Sequence, residues 1–495
     1  MYLALSSHIK QLDNLAETQF GIPLSALMDN AGRGVFNELI KDFNSSSYAV
    51  FCGKGNNGGD GFVLSRYLKE AGKNVDIYLA CEESQLKGIA LDAFNLAKEK
   101  GVQVKKISEQ IAEDAVVVDA LLGISLRGAP RDGIKEAIDI INSLKNIKVS
   151  IDVPSGINAD TGKFLETAVK ADYTYTLQLD KVGLNVYPGK EYTGIKKIID
   201  IGIPEECISS LQFKNHLADY KIAKTLLPKR EQNSHKGNFG KVGIIGGSEG
   251  MAGSVCLAAN AALKSGAGLV YVFVPDEIFD IVSVKLTEAI IVKESQILKY
   301  IDKLDSIAVG MGYSQDIRKK HIIKQIARKF EKSVVFDAGS IGYLSFNDEL
   351  LKNKKCSAVL TPHTGEFSKL IKMNTEEIEA NRMFITVKYA KEYNCALLLK
   401  GAATLTGSAS GELRINSTGN SGMATAGSGD VLSGIVAGLL SQGMNNYDAA
   451  SVGAFIHGLA GDLASEVKTE YGVTAGDIVE NIPYAFKKII DIQLL

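Results

Sequence analysis

Proline is scarce in this chain, 9 of 495 residues against 49 glycines. Glycine in excess without proline points to tight turns beside bound groups and excludes linker-like or low-complexity sequence. Cysteine is sparse as well. Cys52, Cys81, Cys207, Cys256, Cys356 and Cys395 lie far apart with no CxxC pair, a spacing that points to buried, reduced thiols. No apolar run reaches the roughly 18 residues that a bilayer span needs. Residues Met1 to Lys10 lack a basic segment followed by an apolar one, so no secretory signal is expected and a cytoplasmic location is. Charge of one sign is missing too. A formal net charge of −2 argues against a general binder of nucleic acid or of membrane surfaces.

What remains is ordinary soluble material, 45% hydrophobic and 23% charged, long enough for two or three domains of roughly 100–200 residues. From about Tyr48, short β-branched runs alternate with stretches of helical period. Strands are expected at Tyr48–Cys52, Val75–Ala80, Val116–Asp119, Lys148–Val153 and Tyr173–Leu177. The pattern breaks over residues 203–236, placing a boundary near 215 with a connecting region to about 235. A second series follows, with strands at Lys241–Ile245, Leu269–Val274, Ile307–Gly310, Val334–Asp337, Ala358–Thr361 and Ala396–Lys400, and helices over Val431–Leu440 and Ala449–Ala464. Strand and helix in alternation imply an α/β fold: two domains, 1–215 and 225–495, each a parallel sheet covered on both faces.

The sharpest local signal is Ala426-Gly-Ser-Gly-Asp-Val-Leu-Ser-Gly434. It opens a helix-period apolar run, so its backbone N–H groups sit at a helix N-terminus, where unpaired donors and the dipole bind phosphate. An acid there repels an anion. Asp430 makes sense as the acceptor of a proton from a hydroxyl that attacks the phosphate. Lys400-Gly-Ala-Ala-Thr404 and Thr361-Pro-His-Thr-Gly-Glu366 end two other strands, at the edge where ligands bind in open α/β sheets. Each has a plain alternative, Asp430 as a helix cap and His363 as a turn residue; their convergence favours a site.

In the first half, Gly53-Lys-Gly-Asn-Asn-Gly-Gly-Asp-Gly61 lies between a strand and a helix without the Lys-Ser/Thr of a P-loop. Its amides suit a phosphate, and Asn56, Asn57 and Asp60 add side-chain oxygens. Asp119 and Asp152 close two further strands. Asn57, Asp119 and Ser155 together offer hard oxygen ligands to a cation.

Taken with Gly246-Gly-Ser-Glu-Gly-Met-Ala-Gly-Ser254 and Ser265-Gly-Ala-Gly-Leu-Val270, the C-terminal segments resemble the ribokinase-like superfamily, and within it the ADP- or ATP-dependent NAD(P)H-hydrate dehydratases. The resemblance covers most of residues 225–490. Two departures are visible: Thr364 stands where the family has proline, and Asp337-Ala-Gly339 replaces Asp-Ala-Asp, removing a carboxylate. Similarly, GNNGGDG, VDALLG, DVPSGINADTG, Lys181-Val-Gly and Asp200-Ile-Gly-Ile-Pro204 resemble the NAD(P)H-hydrate epimerases over about residues 5–215.

The resemblance implies a Rossmann-like three-layer αβα domain followed by a ribokinase-like αβα domain, in a homo-oligomer. It implies a bifunctional repair enzyme that epimerises the R and S forms of hydrated NADH and NADPH (NADHX, NADPHX). The S form is then dehydrated with ADP, giving AMP and phosphate. K⁺ would be held by Asn57, Asp119 and Ser155, and Mg²⁺ would accompany ADP. Asp119 would transfer the proton in epimerisation, and Asp430 would be the base in dehydration. The hydrate would be held in the first domain by Asn56, Asn57, Gly58, Gly59, Asp60, Gly123, Ile124, Ser125, Leu126, Arg127, Gly128, Ala129 and Asp152. In the second domain it would meet Gly253, Gly312, His363 and Asp430, and the nucleotide would meet Lys400, Gly401, Ala402, Ala403, Thr404, Gly427, Ser428 and Gly429. Two other readings stay open: a small-molecule kinase with a regulatory N-terminal domain, or an N-terminal scaffold without catalysis.

Overall fold

Seven short strands, β1 (Ser47–Cys52), β2 (Asn74–Leu79), β3 (Gln103–Lys106), β4 (Val116–Ala120), β5 (Lys148–Ile151), β6 (Tyr173–Leu177) and β7 (Ile195–Ile199), form one sheet in the order 3-2-1-4-5-6-7. All its pairings are parallel. Strands covered on both faces read as continuous apolar runs, as Val116–Val118 of β4 does ahead of Asp119. Successive residues still divide between the faces. Val50 and Val118 pack with Phe62 and Leu64 of helix Asn56–Glu70, whereas Phe51 and Val117 pack with Ile138 and Ile141 of helix Asp132–Ser143. This structure, a computed structural model, describes residues 1–126, 128–314, 316–345 and 348–493. Arg127, expected at the substrate, lies outside the described residues.

The chain divides into two units, Tyr2–Asn215 and His216 onward. The second carries a ten-stranded sheet of β8 (Asn215–Ala218), β9 (Lys241–Ile245), β10 (Leu269–Val274), β11 (Ile290–Lys293), β12 (Ser306–Val309), β13 (Ser333–Phe336), β14 (Ser357–Leu360), β15 (Cys395–Leu399), β16 (Leu405–Gly407) and β17 (Leu413–Asn416), in the order 11-10-9-12-13-14-15-16-17-8. It is parallel from β11 through β15, and β15–β16–β17 form an antiparallel meander. Strand order reverses between β1 and β4 in the first sheet and between β9 and β12 in the second. Such switch points open a crevice at the carboxyl edge.

Residues 203–236, where the sequence pattern breaks and a connecting region was expected from about 215 to 235, carry regular elements. They hold helix Glu205–Ser209, strand β8 and helix Tyr220–Leu226, the last capped by Asp219, whose side chain accepts from Ile222 N at 2.8 Å. These elements are too short to carry a periodic pattern. Five cysteines are buried and Cys81 is half-buried; all six are free thiols. Among the described residues no helix is long and apolar enough to cross a membrane.

Helix Ser428–Ser441, which carries Asp430, packs along helix Ala252–Lys264. They pack closely at Gly434, where an added Cβ would lie 2.1 Å from the carbonyl oxygen of Ala258. Overpacking of this kind costs about 1–3 kcal/mol. Gly434→Ala should therefore lower the unfolding free energy of the second unit by that amount, read as a lower urea midpoint with an unchanged slope of the transition; an unaltered midpoint would refute the close-packing account.

Candidate active sites

In the first unit the chain leaves β1 at Cys52, turns through Gly53–Gly55 and enters helix Asn56–Glu70. A cavity of about 940 Å³ opens there, within the range of small-molecule sites. Asn56, Asn57, Asp60, Gly123, Ile124, Ser125, Leu126, Ala129 and Asp152 all line it. Gly58 and Gly59 lie inside the first helical turn, and Gly128 is not on the wall.

Asp119 is not on the wall either. It is fully buried, and its carboxylate accepts from Ser150 Oγ (2.8 Å), Ser155 N (2.8 Å), Ser155 Oγ (2.5 Å) and Leu121 N (3.2 Å). Burial raises its pKa, and these four donors oppose the rise. The structure thus places Asp119, expected as the proton-transfer group, behind the cavity wall with these donors around its carboxylate. Beside it, Asn57 Nδ2 donates to Leu122 O at 2.9 Å, leaving Asn57 Oδ1 buried with no partner. Ser155 Oγ, 3.2 Å from the same carbonyl, completes a cluster of hard oxygens. An orphaned carbonyl oxygen beside a buried carboxylate that, among the described residues, no side-chain cation neutralises fits a monovalent cation.

The carboxylates that do reach the cavity are Asp13, Asp60 and Asp152. Asp152 sits at φ 67, a left-handed conformation costly for a non-glycine residue. It is held there by Asp152 N donating to Tyr175 O at 2.8 Å and by an ion pair with Lys181. Lys181, wholly buried, also donates to Thr176 Oγ1 (3.0 Å) and Leu177 O (2.7 Å). Motif reading gave Asp13 and Lys181 no role. A signal for Asp13 was present, since Ile9, Leu12, Asp13 and Ala16 share one helix face and only one of them is charged.

In the second unit, helix Ser428–Ser441 starts behind Gly427, its N-cap in the left-handed region at φ 87. The Val431 amide returns to Gly427 O at 3.1 Å. Among the described residues the amides of Gly429 and Asp430 have no acceptor, and two free donors at a helix start make an anion hole. Lys400, at the end of β15, ion-pairs with buried Asp337 at 2.9 Å and stands 3.9 Å from Glu366. Asp337 in turn accepts from Ser433 Oγ of the same helix at 2.8 Å. Burial first, then Asp337, pushes the Asp430 carboxyl up to about 6, against the pull of a Ser254 hydrogen bond and of Lys400. A base poised near neutrality results.

The other expected residues surround this point. Gly312 packs on Ser254, where an added Cβ would lie 2.9 Å from Ser254 Cβ, and Gly253 precedes it. The turn Gly401, Ala402, Ala403 and Thr404 is backed by Arg382, whose guanidinium donates to Leu399 O (3.3 Å) and Lys400 O (3.2 Å). Ser428 Oγ lies 3.2 Å from Nε2 of buried His457, whose pKa burial lowers to about 4, so it is a neutral partner. His363 caps helix Thr364–Ile371, its Nδ1 accepting from Gly365 N and Glu366 N while the ring stays exposed. Nδ1 is thus the acceptor, and Nε2, 3.6 Å from Glu366 Oε1, is left as the donor. The missing carboxylate at Gly339 has a steric counterpart: a Cβ there would meet Tyr313 Cβ at 2.8 Å. Arg382 and His457 carry no motif that marks them, and their partners at the site, Lys400 O and Ser428 Oγ, lie 18 and 29 residues away.

The second unit is of the ribokinase-like class. It resembles a ribokinase-like superfamily protein from Enterococcus faecalis V583, with a TM-score of 0.51 and 27% identity over 56% of this chain and 98% of that one. An ADP/ATP-dependent NAD(P)H-hydrate dehydratase from Bacillus subtilis shares the fold at a TM-score of 0.51 and 24% identity, over 55% of this chain and 98% of that one. Residues 242–484 match the family model described as NAD(P)H-hydrate dehydratase, and residues 24–183 match that of the YjeF-related protein N-terminus. Along nearly the whole chain, relatives carry one description, bifunctional NAD(P)H-hydrate repair enzyme Nnr. That of Moorella thermoacetica is 35% identical over 99% of this chain and 97% of its own length. Its counterpart in Coxiella burnetii is 34% identical over 96% and 97%. The chain belongs to the family of bifunctional NAD(P)H-hydrate repair enzymes.

Because Asp337 raises the Asp430 pKa, Asp337→Asn should move that titration below 6. Carboxyl-carbon NMR of ¹³C-aspartate-labelled protein, with Asp430→Asn to assign the signal, would read it; an unmoved midpoint would refute the coupling.

Proposed function

We propose that the first unit interconverts the R and S hydrates of NADH and NADPH and that the second dehydrates the S form with ADP, yielding AMP and phosphate. The observation that carries this is the pairing, in one chain, of a cavity at the switch point of the first sheet with an anion hole and a poised base at the edge of the second. Hydroxide is a poor leaving group. Phosphorylating the ring hydroxyl turns it into phosphate, and elimination then restores the dihydronicotinamide. Asp430 takes the hydroxyl proton, and the amides of Gly429 and Asp430 receive the charge developing on the transferring phosphoryl group. Lys400 sits where a polyphosphate would approach, held by Asp337. His363 offers Nε2–H to the substrate, and the turn 401–404 receives the nucleotide.

No cluster of His, Cys, Asp or Glu that would hold a metal occurs among the described residues. Mg²⁺ is thus expected to arrive on the nucleotide phosphates, where it would neutralise their charge. In the first unit Asn57, Asp119 and Ser155 would hold K⁺, balancing the buried Asp119 carboxylate and fixing the loop at Leu121–Gly123 against Asn57.

Incubating the protein with mixed R and S hydrated NADH tests the reading, with restored dihydronicotinamide absorbance as the signal. With ADP and Mg²⁺ both epimers should be recovered. Asp430→Asn should abolish recovery, by about 10²-fold or more. Replacing K⁺ with a bulky organic cation should slow recovery of the R share alone. No recovery with either ADP or ATP would overturn the assignment.

A further inference from the structure

Asp13 lies on helix Ser6–Phe20, ahead of the residues matched by the N-terminal family model, yet it lines the cavity together with Asp60 and Asp152. Among the described residues no hydrogen bond or ion pair reaches its carboxyl. Asp60, only 7% exposed, has no side-chain partner either and is likewise turned to the cavity. Two unpartnered carboxyls on one wall, beside a third that is ion-paired, are costly to keep unless a ligand uses them. Burial, and then the Asp152 charge, pushes Asp13 up to about 6, with Lys181 opposing. Asp60 is raised further by burial and by the same two carboxylates. The other charged groups on the wall are Lys10 on the same helix, Lys54 and Arg131.

We propose that Asp13 is a catalytic residue of the first unit, exchanging a proton with the ring hydroxyl of the hydrate, with Asp152 as its partner base. This rests on the reading of that unit as the hydrate epimerase. Protonated Asp13 delivers its proton to the hydroxyl oxygen as the carbon–oxygen bond breaks, the bonding pair leaving with oxygen as water. The lone pair of the ring nitrogen forms the carbon–nitrogen double bond of an iminium. A water adds to the other face of that carbon, the π pair returns to nitrogen, and the surplus water proton goes to the Asp152 carboxylate. One water leaves and one enters, and one proton has moved from Asp13 to Asp152. Reversal of that transfer resets the site, so no oxidant or reductant is needed.

The test uses the full chain and R-enriched hydrated NADH, with the R-to-S rate measured by chromatography without ADP and corrected for the spontaneous rate. ADP is then added, so that dehydration of the S form by the second unit reports an intact molecule. Asp13→Asn is expected to lower kcat for epimerisation about 10²- to 10⁴-fold with KM nearly unchanged, while S-form dehydration proceeds. Asp13→Glu should regain part of the rate. Because the acid form starts the step, wild-type kcat/KM should be present below about 6 and fall as pH rises through it, and oxygen from ¹⁸O-water should enter the S product. An Asp13→Asn rate near wild type, or a change in KM alone, overturns the proposal. If that variant fails to fold, a wild-type profile without the falling limb overturns it. Wild-type protein that dehydrates the S form but never converts the R form would instead overturn the epimerase reading itself.

Discussion

Parallel strands are joined only by crossovers that bring the chain back across the sheet, so every strand delivers its last residue to one edge. Both units of this protein depend on that constraint. Asp119 and Asp152 follow β-branched runs to the edge of the first sheet, and Lys400 and the residues after β13 and β14 do the same in the second. Helix starts arrive at the same edge, bringing free amides to face side chains that strands have already placed.

Charge is handled differently at the two edges. In the second unit the acids surround a lysine: Asp337 and Glu366 lie within ion-pair range of Lys400, and Ser433 fastens Asp337 to the helix that bears Asp430. The base is thereby tuned by neighbours that belong to three different strand ends. The first unit separates its roles. Asp119 is sealed among hydroxyls and amides, suited to a small cation, whereas Asp152 takes the buried Lys181 and leaves Asp13 and Asp60 open to the cavity. Four carboxylates thus fall into three environments: sealed among donors, ion-paired, and open to the cavity.

Much of this is legible in the sequence because strand ends are local. A β-branched run followed by Asp, or by glycines, announces both the element and the place of its last side chain, so Asp430, Asp152, Asn57 and the Lys400 turn stand out from the order of residues alone. Their partners do not. Asp337 meets Ser433 across 96 residues, and Asp13 enters the cavity from a helix that carries no motif. The surroundings of Asp119 are hidden for another reason, since the pattern that puts an acid at a strand end does not say whether that acid faces solvent or neighbours. Short elements such as β8 and β16 also escape, because three or four residues cannot establish a period.

Strand β8 belongs to the outer edge of the ten-stranded sheet although it begins at the last residue of the first unit. Beyond it, Ser417 Oγ donates to Ala218 O at 2.6 Å, tying that edge to the loop after β17. A sheet edge with unpaired amides invites other chains to add to it. A second unit cut to begin at residue 225 would lose β8, and β17 would become the edge strand in its place.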